Sequence, residues 1–260
     1  MDNLLQVIVL GIIEGITEFL PISSTGHLLI AEHWLGHRSD LFNVAIQAGA
    51  ILAIVVIYWQ RLWDLVLHMT RPENRDYLYK LAVSFLITVV GGLIAKKLGL
   101  KLPDTVAPVA LALIVGGLAI FAIEAYTSRR PESDRLTWSV AIWVGLGQIL
   151  AAVFPGTSRS AACIFAAMLA GMTSRRAAAD FAFIIAIPTM FAATAYLGYD
   201  VFKTGGAADE NWADLAVGFV VSAVVAFIAV KWLLRYVQTH RFTVFAWYRL
   251  ILGAALLAFV

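Results

Sequence analysis

The chain has 260 residues, of which 61% are apolar and only 14% charged, with a formal net charge of +2. A soluble domain carries roughly 25% charged residues and could not cover its surface with so few, so the solvent implied is a bilayer. The small charge excess forms no basic stripe, which excludes nucleic acid as a partner. The single cysteine, Cys163, excludes an internal disulfide.

In chain order, the N-terminal segment MDNLLQVIVL lacks a basic n-region and a small-residue cleavage site, so no cleavable signal peptide is expected. An apolar region at 4–35 follows, interrupted by PISSTG at 21–26. Three uninterrupted apolar stretches come next, at 41–60, 78–98 and 106–126, each matching the roughly 20 residues that a spanning helix needs. A second interrupted region covers 137–172, broken by PGTSRS at 155–160, and three further spans are expected at 178–199, 212–234 and 242–260. Each half of an interrupted region is too short to cross a bilayer, so both regions read as re-entrant helix–loop–helix hairpins. Irregular backbone at that depth survives only where protein or a water-lined cavity covers it. The expected fold is all-α and polytopic, six transmembrane helices plus two re-entrant hairpins in a single membrane domain, 1–260.

Six spans and two hairpins leave both termini on one face. Arg61, Arg71, Arg75, Arg129, Arg130, Arg135, Arg175, Arg176, Lys231, Arg235 and Arg241 then share one side, against Arg38, Lys96, Lys97, Lys101 and Lys203 on the other. The positive-inside rule puts the first group in the cytoplasm and both termini outside. The acidic loop 200–214, with Asp200, Asp209, Glu210 and Asp214, suits the outer face.

A shift of 134 positions lays the hairpins over each other: Gly11 on Gly145, Glu14 on Gln148, Pro21 on Pro155, Ser23 on Thr157, Ser24 on Ser158 and Thr25 on Arg159. Each hairpin precedes three spans, an odd number, so the second half must be inverted relative to the first. The expected organisation is an inverted-topology repeat, approximately 1–126 and 137–260, with the hairpin tips meeting near the midplane.

The chemistry-bearing residues sit in those hairpins. Glu14 and Glu18 are four apart and share a helix face, where two carboxylates in lipid need a metal ion, a shared proton or a cationic partner. Pro21 ends that helix, and Ser23, Ser24 and Thr25 can cap the next, whose first turn holds His27. A helix N-terminus offers free N–H groups and a positive dipole end to phosphate oxygens. Thr157, Ser158, Arg159 and Ser160 form an equivalent cap in the second hairpin, and the always-charged fork of Arg159 can hold two phosphate oxygens. Gln47 and Arg249, both within spans, suit either a supporting place at the site or a role in the core or at an interface. The set fits phosphoryl transfer, with Ser24 or His27 attacking phosphorus, or with His27 or a glutamate activating water. The residue types do not choose among these.

The segments EGITEFLPISSTGH (14–27) and PGTSRS (155–160), in this order and at this separation, closely resemble the undecaprenyl-diphosphate phosphatase family, also called the bacitracin-resistance proteins. The resemblance covers essentially the whole chain. One departure is Thr157, where a bulkier residue is common.

The resemblance implies hydrolysis of undecaprenyl diphosphate to undecaprenyl phosphate, the carrier reused in peptidoglycan synthesis and the origin of bacitracin resistance. It implies a divalent cation, Mg2+ or Ca2+, held by Glu14 and Glu18, with Glu18 also serving catalysis. It places Ser24, Thr25, His27, Ser158 and Arg159 in the active site; taken with the reading of the residues, the expected catalytic groups are Glu18, Ser24, His27 and Arg159, and the expected substrate contacts are Ser23, Thr25, Gly26, Thr157, Ser158, Arg159, Ser160 and Gln47. It further implies a bacterial plasma (inner) membrane location with the pocket open to the periplasmic or outer face. The expected partners are a polyprenyl diphosphate and the bilayer, with a homodimer the assembly to test for.

Two rival readings are an inverted-repeat transporter or flippase for an anionic lipid and a lipid phosphatase of the PAP2 type. Transport does not need paired glutamates beside a serine and a histidine. The residues after Arg159, SAACIFAAMLAGM, lack the second histidine that the PAP2 pattern requires.

Overall fold

A computed structural model describes residues 3–100, 105–203 and 210–258; Lys101 and Asp209, used in the charge reading above, lie outside them. All eleven regular elements among the described residues are helices. The first interrupted region is α1 (Asn3–Thr17) and α2 (Ser24–Leu35), broken after Thr17 where Pro21 forbids continuation. Then come α3 (Asp40–Ile57), α4 (Trp59–Leu67), α5 (Pro72–Lys97) and α6 (Val106–Thr127). The second interrupted region is α7 (Trp138–Val153) and α8 (Arg159–Leu169), followed by α9 (Arg175–Lys203), α10 (Trp212–Thr239) and α11 (Thr243–Ala258). Local chemistry fixes several starts: Ser39, Thr137 and Asn211 cap α3, α7 and α10 through side-chain oxygens, and Pro72 opens α5.

Five helices, α3, α5, α6, α9 and α10, are long and apolar enough to cross a membrane. Of the expected span at 242–260, whose last two residues lie outside those described, the described part forms the 16-residue α11. Large apolar side chains such as Leu86, Leu93, Leu118, Val224 and Ile251 face outward, as a chain solvated by lipid requires.

Small residues bring the helices together. Without a hydrophobic drive between helices in lipid, close backbone approach supplies the attraction. A Cβ at Gly49 of α3 would lie 2.3 Å from the Phe219 carbonyl of α10. A Cβ at Gly11 of α1 would meet the Gly218 carbonyl at 3.0 Å and the Val221 side chain at 3.1 Å on α10. A Cβ at Gly145 of α7 would meet the Ser84 carbonyl and Ile87, both at 2.9 Å, on α5. All three positions of the second contact are the first displaced by 134. Similarly, Gly117 of α6 abuts the Ala246 carbonyl and Leu250 of α11, and Gly253 of α11 abuts the Ala110 carbonyl and Ile114 of α6.

α4 was not expected. It is nine residues long, too short to register as a span, and amphipathic. Trp59 and Trp63 stack at 5.6 Å between centroids, and with Val66 and Leu67 they remain exposed. On its polar side Asp64 accepts from Asn74, Arg61, His68 and Arg71. The Asn74 hydrogen bond, joined by His68 and Arg71, holds the Asp64 carboxyl below the usual carboxylate range. An apolar face with tryptophans opposite a charged face suits a helix lying in the interface plane.

Gly49→Ala is expected to destabilise by about 1–3 kcal/mol, because the new methyl meets backbone that cannot yield. Gly92→Ala, where a Cβ meets nothing within 4 Å, should be neutral or stabilising by up to about 1 kcal/mol. Thermal unfolding of both variants in detergent checks the contrast.

Candidate active site at the hairpin tips

Both hairpin tips end in a serine with an unusual backbone. Ser23 (φ 73°) caps α2 by accepting from the Gly26 amide, and Ser158 (φ 68°) caps α8 by accepting from the Ala161 amide. They are the only non-glycine residues with positive φ among those described. Such a conformation costs on the order of 1–3 kcal/mol and persists only where its surroundings enforce it. The caps match Ser23 to Ser158, whereas the 134-residue shift matches Ser23 to Thr157. The second tip therefore carries one residue more between proline and cap. Gly156 sits in that turn at φ 88°, and a Cβ there would lie 2.7 Å from the Val109 carbonyl of α6.

Between the tips lies a cavity of about 280 Å³. A water occupies roughly 30 Å³, so a diphosphate head group with some solvent is a fair filling. Its lining includes Glu18, Ser23, Ser24, Thr25, Gln47, Ser158 and Arg159, all expected site residues, together with Thr88, Gln148 and Thr189. The buried Glu18 carboxylate links the halves: Arg159 Nη2 donates to Oε1 at 2.6 Å, and the Ser24 hydroxyl donates to Oε2. Arg159 Nη1 is buried with no partner, so half of the guanidinium fork is uncommitted. The first turns of α2 and α8 add amide donors and positive dipole ends at the same place.

Other expected site residues sit around this cavity rather than in its lining. His27 Nδ1 lies 2.7 Å from the Ser23 carbonyl and Nε2 lies 2.6 Å from the Tyr248 hydroxyl, with the two rings stacked. A carbonyl only accepts, so Nδ1 carries the proton and, in the neutral ring, Nε2 accepts from Tyr248. Ser160 donates to the Leu20 carbonyl at 2.9 Å, tying α8 to the first tip. Gly26 packs against Val109. Thr157 lines a separate apolar groove of about 880 Å³ bordered by α6, α7 and α8. Glu14, one turn below Glu18, is wholly buried, and neither of its oxygens has a partner.

Arg249 of α11 combines two of the alternatives its sequence position left open, a place in the core and support of the site. It is wholly buried and donates to five backbone carbonyls. Nη1 reaches Pro21 at 3.3 Å and Thr157 at 3.0 Å, Nη2 reaches Gly156 at 3.1 Å and Ala112 at 3.0 Å, and Nε reaches Leu113 at 3.3 Å. Gly116 leaves the room: a Cβ there would overlap Nη2 at 2.1 Å.

The donor set fits a hard divalent cation. Glu14 has two unclaimed buried oxygens beside Glu18, and the neighbouring donors are oxygens. No group of three or more His, Cys, Asp or Glu occurs among the described residues. Any cation here would therefore take at most these two carboxylates from the described residues and complete its shell from substrate and water.

Residues 7–255 match the family described as bacitracin resistance protein BacA. The chain belongs to that family. A Rhizobium etli protein named undecaprenyl-diphosphatase is 62% identical over 249 residues, covering 96% of this chain and 94% of its own length. A Xanthomonas axonopodis pv. citri protein of the same name is 58% identical over 257 residues, covering 99% and 97%. The BacA family match spans both hairpins and every helix that lines the cavity.

Thr88, Gln148 and Thr189 escaped notice as lining residues because single polar residues in long apolar helices carry no motif. Tyr248 escaped because only folding brings it to His27. Arg249→Lys is expected to cost about 2–4 kcal/mol, since one ammonium cannot serve both tips and α6. Chemical unfolding in detergent measures it, and parental stability would remove the pinning role.

Proposed function

We propose that this chain is a membrane-embedded undecaprenyl-diphosphatase. It adds water to undecaprenyl diphosphate, breaks the anhydride bond, and yields undecaprenyl phosphate and inorganic phosphate for carrier recycling in peptidoglycan synthesis. The observation that carries the chemistry is the contact of Glu18 with both Arg159 and Ser24 in the cavity between the tips. The names of relatives about 60% identical supply the lipid.

The residues divide the work as follows. The α2 and α8 amides and the free half of the Arg159 fork bind the terminal phosphate and stabilise charge that grows on its oxygens. The Ser24 hydroxyl, already donating to Glu18, attacks phosphorus as its proton passes to that carboxylate. The lipid monophosphate leaves, and water then releases phosphate from the serine. His27 supports this step by fixing the Ser23 carbonyl and the cap, since both of its ring nitrogens are engaged outside the cavity. Glu14 and Glu18 would hold the divalent cation, which when bound neutralises phosphate charge.

The organisation proposed is one membrane domain of two inverted repeats with re-entrant hairpins. The glycine contacts recurring at a 134-residue separation support it. Arg71 and Arg75 at the start of α5, Arg129 and Arg130 after α6, Arg175 and Arg176 at the start of α9, and Arg235 near the end of α10 favour one cytoplasmic face. The family resemblance adds that the cavity opens to the periplasmic or outer side of the inner membrane.

Arg159→Ala is expected to lower phosphate release from undecaprenyl diphosphate by roughly 10²–10³-fold while the protein stays folded. Ser24→Ala should abolish the phosphoserine trapped by rapid acid quench of the parent. Phosphate release by Ser24→Ala near the parental rate would show water, not Ser24, to be the nucleophile.

A further inference from the structure

Among the described residues, few buried side-chain polar atoms lack a partner, and Glu14 Oε1 and Oε2 and Ser222 Oγ are three of them. Glu14 lies on α1 and Ser222 on α10, and both residues are wholly buried. The two helices are in glycine-limited contact at this level: a Cβ on Gly15, the neighbour of Glu14, would lie 2.7 Å from the Ser222 carbonyl.

The other half of the chain contains the corresponding pair. Displaced by 134 positions, Glu14 becomes Gln148 and Ser222 becomes Thr88, in the register that carries the Gly11 contact onto the Gly145 contact. There the pair is joined: Gln148 Nε2 donates to Thr88 Oγ1 at 2.8 Å, and Thr88 Oγ1 donates to the Ser84 carbonyl at 2.9 Å, one turn back in its own helix. A glutamine amide can donate, so the threonine proton is free for the helix backbone. An ionised glutamate can only accept. The corresponding backbone bond, from Ser222 to the Gly218 carbonyl, is not made, which leaves the Ser222 proton uncommitted.

We propose that Ser222 is the positioning residue of Glu14 when a cation binds: its hydroxyl, without a partner in this structure, then turns to donate to one carboxylate oxygen and leaves the other for a divalent cation shared with Glu18. The inference rests on the cation reading given above. It runs the hydrogen bond of the second half in the opposite sense. A carboxylate at membrane depth without partners is costly, and a fixed hydroxyl donor both lowers that cost and limits the directions in which the carboxylate can point. Groups that orient a metal ligand from behind commonly matter by 10–100-fold in affinity.

The test uses full-length protein in detergent, stripped of cations and free of substrate. Mg2+ and Ca2+ are titrated while the thermal unfolding midpoint is followed. Ser222→Ala and Ser222→Val are expected to raise the concentration giving half of the melting shift roughly tenfold. Ser222→Thr, which restores a hydroxyl as at Thr88, should return it to the parental value. The Val and Thr variants are of similar size, so their contrast isolates the hydroxyl even if Ser222→Ala folds poorly. Parental titration curves for both Ser222→Ala and Ser222→Val would overturn the assignment. Glu14→Gln separates the two levels. If it abolishes the cation-dependent shift while the Ser222 variants keep it, the Ser222 inference alone fails. If it leaves the shift intact, the cation reading fails and the Ser222 inference with it.

Discussion

One buried guanidinium holds the site together. The turns that interrupt the two broken helices carry carbonyls outside any helical ladder, and a buried carbonyl needs a donor. Here two such breaks face each other, and Arg249 serves the carbonyls of Pro21, Gly156 and Thr157 from a single side chain while anchored to α6 through Ala112 and Leu113. The cost of burying a permanent cation is offset by five oriented dipoles. In return the two tips have a fixed separation, and the Glu18–Arg159 contact across the gap becomes possible. Gly116 is the silent partner in this arrangement, since any side chain there would displace the guanidinium.

The two halves share a scaffold and differ in the groups mounted on it. Close glycine contacts recur between α1 and α10 and between α7 and α5, so the supporting geometry is alike. Acid and amide exchange places at Glu14 and Gln148, and the first residue after each cap serine is Ser24 in one half and Arg159 in the other. The site draws its carboxylates and hydroxyl from one side and its cation from the other, and neither hairpin alone carries a complete set.

Much of this was legible in the residues themselves. Long apolar runs gave the five spans, because lipid solvation imposes length and composition directly. The breaks at PISSTG and PGTSRS announced the interruptions between α1 and α2 and between α7 and α8 through proline and cap chemistry, Glu18 and Arg159 stood out as charges in apolar surroundings, and Ser24 as a cap residue beside them. What stayed hidden depends on three-dimensional placement. α4 is too short for a span pattern. The extra residue at Gly156 is invisible to a fixed shift: α1 and α7, and α5 and α10, align at 134 positions, whereas the cap serines and the helices they open are displaced by 135. Arg249 reads as one more basic residue in a span until five carbonyls converge on it. His27 looks like a cavity residue by spacing, yet the turn of α2 sends its ring to Tyr248.

The inserted glycine in the second tip also bears on selectivity. A diphosphate presents two chemically similar phosphates, and a clamp with perfect two-fold symmetry would accept it either way round. Lengthening one jaw by a residue, with serine facing arginine across the gap, makes the two ends of the cradle different. The two tips are therefore not interchangeable: one offers a hydroxyl and the other a guanidinium to whatever lies between them.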